Sequence, residues 1–529
     1  MEVVRIEEIS LQLDENEDLL ESKISKILAI NESEILSYSI AKKAIDSRKK
    51  NVLFVYSVDV KVKDVKKIKK WDKRHRARIY EPFVYEEKTA EKAKPAGKKI
   101  VVVGSGPCGL FCALLLAKAG LNPLLIERGK DVDSRIKDVE TFSNGGKLNP
   151  KSNIQFGEGG AGTFSDGKLY TLINDPRSKY VFSELIKAGA PEEIAYSATP
   201  HVGTDKLRGI VKNLRNEIIR LGGKVRFETC LTDIEIKNDR LKAIILNDEE
   251  KIPTDELIIA IGHSSRDTYK MLYEREIKMS QKPFAIGVRI EHHAEMINKS
   301  QYGESYNHPK LSSARYKLVQ HLKDKRPVYT FCMCPGGYTM GATSEENAVV
   351  TNGMSQYAQD GKNSNSALLV PVTPSDFESD SPLAGIEFQR KWEKAAFLAG
   401  GSDYSAPVQL VGDFIANRPS KEIKSVKPTY RPGVKPTSLD TCLPEYVLES
   451  LREAIPLLER KIKGFANPEA VLTGVETRTS STIRIERDEN FESNIKGIYP
   501  AGEGAGHAGG IVSSAIDGLK VAEAIISKL

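Results

Sequence analysis

The chain has 529 residues, with 78 Lys and Arg against 72 Asp and Glu for a formal net charge of +6. That length asks for two or three domains, and the balance is too slight to make the whole chain a nucleic-acid or membrane protein. No run of about 18 apolar residues is present to cross a bilayer, the first ten residues lack the pattern of a secretory leader, and six cysteines are too few for a disulfide scaffold. The expectation is a protein of the cytoplasm.

Residues 1–94 read as a small α+β module with a basic linker. An alternating run from Val3 to Leu11 predicts a strand, Glu15 to Ile30 a polar helix, and Ile35 to Ile45 and Val52 to Val60 two further strands. Between Lys61 and Arg78 stand ten Lys or Arg against Asp64 and Asp72, with Trp71 among them. Such a run is ordinarily a solvated face; its alternative is a nucleic-acid-binding surface. The segment 86–99, EEKTAEKAKPAGKK, has linker composition, and the module boundary is placed near Lys94.

Residues 95–280 open with a βαβ unit: the apolar strand Ile100 to Val103, the turn Gly104-Ser105-Gly106-Pro107-Cys108-Gly109, a helix to Ala119, and a strand from Pro123 to Glu127. The spacing G-x-G-x-x-G between strand and helix is a dinucleotide fingerprint. Gly104 permits the tight turn, Gly106 lets backbone approach a pyrophosphate, Gly109 lets helix and strand pack closely, and the phosphate charge meets the positive helix end. Eighteen residues beyond Gly109, Glu127 is placed to accept from both ribose hydroxyls, with Arg128 beside it.

Three later segments bear on which nucleotide is bound. The loop from Phe156 to Lys168 carries Gly159, Gly160, Ala161, Gly162 and Thr163, small residues whose amides can face a pyrophosphate or a flavin ring. The segment from Thr254 to Ser264, with Ala260 and Gly262, reads as a strand and turn leaving the nucleotide domain. The closing segment from Gly497 to Ile511 carries Gly502, Glu503, His507, Gly509, Gly510 and Ile511, and runs into a helix to Ser527. These segments resemble the flavin-contacting loops of glutathione-reductase-type flavoproteins. With the block Gly474 to Ser481 and the run Phe331 to Gly337, the chain is similar over most of its length to bacterial FAD-dependent oxidoreductases labelled NAD(FAD)-utilising dehydrogenases.

That resemblance implies FAD as cofactor and an α/β fold: a discontinuous Rossmann-like FAD-binding domain of residues 95–280 and 464–529, interrupted by an inserted α+β substrate domain of residues 281–463. It also implies an acid after the last strand, here Glu503, for the ribityl chain or phosphates, and a helix N-terminus facing the flavin. The leading function is an FAD-dependent oxidoreductase, a dehydrogenase or reductase, acting on a small molecule. The alternative is a flavoprotein that binds or modifies nucleic acid through its basic N-terminal region.

Candidate catalytic residues follow from chemistry. Arg478 offers a fixed guanidinium fork for an anion, or else a structural ion pair with Glu476 or Glu486. His507 precedes the closing helix and suits proton exchange, with His263 as a weaker candidate. Cys332 and Cys334 lie at a period of two in the strand Tyr329 to Cys334; in a regular strand their Cα atoms stand about 6.5 Å apart on one face, within reach of a disulfide. The alternative is two small residues packing in a sheet. No spacing suggests a metal site, and no second glycine fingerprint marks a nicotinamide domain, so NADH or NADPH is expected only as a transient electron donor.

Overall fold

Five parallel strands form the nucleotide-binding sheet in the computed structural model, which describes residues 2–69, 71–87, 97–171 and 173–529. The apolar strand Ile100–Val103 is central. On one side lie Leu124–Ile126 and then Lys224–Arg226; on the other lie Glu256–Ile259 and then Ile498–Pro500. Strand order reverses at Ile100–Val103, so a crevice opens beyond the carboxyl ends of the strands at that point. The edge strand Ile498–Pro500 comes from nearly 240 residues downstream of its neighbour, so the fold closes only when the C-terminal segment returns.

The helices Pro107–Lys118 and Ile511–Lys528 pack on this sheet and on each other. Pro107 sits at the first helical position, where a missing N–H costs nothing. The crossover between Lys224–Arg226 and Glu256–Ile259 is an antiparallel meander of Leu231–Lys237, Arg240–Leu246 and Glu250–Pro253.

The insertion is built on a seven-stranded sheet whose longest pair is Phe284–His293 against Asn363–Val372. Val328–Cys334 flanks that pair on one side. Val471–Glu476 flanks it on the other. The latter strand, which the sequence reading placed past the end of the insertion at residue 463, is an interior strand of this sheet, bonded also to Ala406–Leu410. Hydrogen bonding between distant strands, invisible in local pattern, carries the insertion to residue 476. The chain then crosses through Ile483–Ile485, which pairs with Met279–Gln281.

The N-terminal module is a four-stranded sheet, Val3–Gln12, Ile35–Asp46, Leu53–Val62 and Arg78–Tyr80, covered by the helix Leu19–Leu28. Its core is contiguous with that of the insertion. Arg78–Tyr80 pairs with Val3–Arg5 as an edge strand, so the end of the basic run is structured. Cations of the run are ion-paired: Lys67 with Glu34, and Arg76 and Arg78 with Glu7. The expected boundary near Lys94, and Lys70 of the basic run, lie outside the described residues.

Candidate active site

The fingerprint turn behaves as its spacing predicts. Gly104 has φ +101°, and a Cβ there would lie 2.3 Å from the Ala260 carbonyl oxygen; at Gly109 it would lie 1.8 Å from the Gly104 oxygen. Both positions therefore demand glycine. Gly106, at the helix N-cap, has room in front of it: a Cβ there would meet only the Gly160 Cα, at the ordinary contact distance of 3.8 Å. Backbone amides at the start of this helix face that space with the positive helix end.

The glycine loop folds onto the turn. Gly159 N donates to Ser105 O at 2.9 Å, and Gly160, at φ +62°, lies over Gly106. Thr163 Oγ1 closes the loop on Glu158 O. Gly162 lies between the starts of both helices, since a Cβ there would stand 3.3 Å from Ile511 and 3.8 Å from Pro107. Three separated segments thus converge on one cradle, with Ala161 between its two glycines.

Glu127 is buried and fully engaged. One carboxylate oxygen accepts from Ser105 N and Ser105 Oγ at 2.9 and 2.8 Å, the other from Gly129 N and Gly157 N at 2.9 and 3.0 Å. Its four acceptor positions are taken by the chain, so it ties the two glycine loops together, and a ribose hydroxyl would have to displace one of these donors. Arg128 stacks on Phe156 and donates to Asp267 and Thr268, so its guanidinium braces the distant helix Arg266–Glu274.

The residue that shapes the glycine loop is one the sequence did not single out. Arg135 is fully buried and donates to the carbonyls of Asn153, Ile154, Gly157, Glu158 and Gly160. Burial lowers its pKa to about 9, with Glu127 and Glu158 opposing the fall. Its only signal was a lone Arg on an otherwise ordinary helix.

The closing segment completes the cradle. Gly502 N donates to Asp517, which is itself held by a bidentate pair with Arg487, and Cys108 lies against Gly502. Gly262 at φ +69° and Gly509 both face open space, and Gly510 caps the helix Ile511–Lys528. Glu503 is partly exposed and accepts no hydrogen bond among the described residues. Burial pushes its pKa up to about 7 against the opposing charge of Lys282, and Cys332 lies near enough to add to the rise. An unpartnered carboxyl, open glycine positions and two helix N-termini around one space fit a bound dinucleotide of the FAD kind.

Of the remaining candidates, Arg478 is a structural residue. It pairs bidentately with the buried Glu393 and bonds Ser264 and Ser344, whereas the sequence offered Glu476 or Glu486 as partner. Glu476 instead holds the buried Arg289, and Glu486 bonds Ser280. Glu393 also binds Arg266, so one carboxylate from the insertion fastens two arginines across the domain junction. His507 Nε2 donates to Ile485 O at 2.9 Å, which tethers the ring, and burial, aided by Arg487, lowers its pKa. His263 is driven down to about 4 by burial beside Arg478 and Arg266.

Cys332 and Cys334 come together, but not through a regular period of two. A bulge separates Phe331 from Cys334, and Cys332 has φ +44°. The bulge re-aims both sulfurs onto Lys168 Nζ, which donates to each at 3.8 Å. Lys168 belongs to the glycine loop, so the pair borders the cradle.

Comparison with known proteins places the chain. Residues 283–479 match the family model described as FAD-dependent protein, C-terminal domain-like, and residues 102–154 match the NAD(P)-binding Rossmann-like domain. Residues 3–61 match a domain of unknown function. An uncharacterized protein of Clostridium beijerinckii is 51% identical over 99% of both chains. The chain belongs to this family of FAD-dependent proteins. Digeranylgeranylglycerophospholipid reductase 2 of Methanococcoides burtonii is 28% identical over 32% of this chain and 38% of its own length. A flavin-dependent brominase aligns with a TM-score of 0.37 at 12% identity, over 81% of this chain and 80% of that one. The cofactor of this flavoprotein is FAD. No helix among the described residues is long and apolar enough to cross a membrane.

Proposed function

We propose that this FAD-dependent protein is an oxidoreductase that takes electrons from a reduced nicotinamide and passes them to a small molecule docked between the insertion and the cradle. The observation carrying this reading is the placement of titratable groups from both domains at the cradle's rim: Glu503 from the closing segment, Lys282 from the start of the insertion, and Cys332 from its sheet. FAD, when bound, supplies two-electron chemistry.

The chain's own residues do the rest. The amides at the starts of the helices Pro107–Lys118 and Ile511–Lys528 bind negative charge. Glu503, with a pKa near 7, can hold or release a proton at its carboxyl near neutral pH, as proton transfer to a substrate requires. Burial lowers the Lys282 pKa while Glu503 opposes the fall, so the two groups set each other's charge across the rim. The buried Arg266, Glu393 and Arg478 cluster fixes the insertion against the cradle.

In this reading the nicotinamide approaches the flavin directly, without a domain of its own. Anaerobic titration of the flavin-loaded protein with NADH and with NADPH, followed by flavin absorbance, tests this reading. It expects bleaching by one of the two.

A further inference from the structure

We propose that Cys332 and Cys334 form a dithiol/disulfide couple beside the cradle, with Cys332 attacking, Cys334 resolving, Lys168 holding the attacking sulfur as thiolate, and a small-molecule disulfide as substrate. The proposal deepens the oxidoreductase reading by naming a substrate class for the same rim.

Four observations carry it. Lys168 Nζ reaches both sulfurs at 3.8 Å, and it is oriented by Asp166 at 3.5 Å and by the backbone bridge of its own residue to His201. The pair is asymmetric: Cys332 is partly exposed, whereas Cys334 is fully buried. An external disulfide can therefore meet Cys332 first, leaving Cys334 behind it. The Cys332 carbonyl accepts from Arg289 Nη1 at 3.2 Å and from the Cys334 thiol at 3.3 Å, which fixes the bulge that turns both sulfurs onto Lys168. Finally, the hydrogen bond from Cys334 outweighs burial and, with the charges of Lys168 and Arg289, pulls the Cys332 thiol well below the ordinary cysteine value. Cys334 is pushed up by the same hydrogen bond and by burial. The other cysteines, Cys108, Cys112, Cys230 and Cys442, are buried, with their pKa raised first by burial.

The chemistry balances as two exchanges. The Cys332 thiolate attacks one sulfur of the substrate disulfide, forming a mixed disulfide and releasing one thiolate. Cys334 then gives its proton to that thiolate and attacks Cys332 Sγ, forming the Cys332–Cys334 disulfide and expelling the second thiolate. The protein dithiol is oxidised by two electrons and the substrate disulfide is reduced to one thiol and one thiolate, the latter taking from solvent the proton that Cys332 had lost to it.

The test uses the flavin-loaded protein and bis(2-hydroxyethyl) disulfide as probe. Thiols are counted after denaturation, and the cysteine peptides are mapped by mass spectrometry. The expected result is loss of two of the six thiols, mapped to a Cys332–Cys334 disulfide that dithiothreitol reverses. Cys334→Ser should instead trap the probe on Cys332 as a mixed disulfide. Lys168→Met should slow iodoacetamide alkylation of Cys332 at neutral pH by roughly tenfold, with Lys168→Arg restoring most of the rate and flavin content reporting an intact fold. Six thiols surviving the probe, a loss mapped to other cysteines, or an alkylation rate indifferent to Lys168 would overturn the proposal. None of these readings depends on nicotinamide reducing the flavin, so failure here is distinct from failure of the oxidoreductase reading.

Discussion

Gly518 presses against Cys108: a Cβ on Gly518 would stand 2.2 Å from the Cys108 carbonyl oxygen. The helix that ends the chain thus rests directly on the helix that begins at the fingerprint, 410 residues away in sequence. That approach joins the pairing of Ile498–Pro500 in seating what the closing segment brings to the cradle. Gly518→Val should force the helices apart, cost about 1–3 kcal/mol, and lower FAD content more than it lowers helix content. Thermal unfolding with flavin absorbance on the purified variant checks it; a yellow protein of unchanged melting temperature would show that the contact does not set the cradle.

Arg135 supports a second prediction. One guanidinium satisfies five carbonyls of the loop that faces Gly106, so Arg135→Met leaves several buried acceptors unpaired and should cost on the order of 3 kcal/mol. Arg135→Lys should not rescue it, because an ammonium has three donors and no planar fork. Denaturant unfolding measures the loss, and FAD titration should show weakened binding in both variants.

Much of this cradle was legible in the sequence, because its parts are local. Gly104, Gly106 and Gly109 sit between a strand and a helix, and Glu127 ends the next strand, so period and spacing sufficed. The residues that join the parts were not legible. Arg135 reaches carbonyls 18 to 25 residues on, Glu393 meets arginines 127 residues before it and 85 after, and Lys168 meets sulfurs more than 160 residues away. No local pattern encodes such pairs. The cysteine pair was found by a regular strand period, yet the bulge at Cys332 is what turns the sulfurs onto Lys168.

Glu503 gives the flavin-free protein a pH signature. Burial raises its pKa from 4.5 to about 7, so the folded chain holds a proton that the unfolded chain has lost between those values. The stability it contributes is complete below pH 4.5 and is lost as pH rises through 7. Glu503→Gln should remove this fall, leaving the variant relatively more stable above pH 7. Melting temperatures across that range, variant against parent, check the difference; parallel curves would mean that Glu503 is ionised throughout.

The oxidoreductase reading meets its most direct test in an anaerobic cuvette. The flavin-loaded protein is titrated with NADH and, separately, with NADPH while the oxidised flavin absorbance is followed. The account predicts that one nicotinamide bleaches the flavin stoichiometrically and that air restores the colour. A flavin that stays fully oxidised under a large excess of both would contradict it.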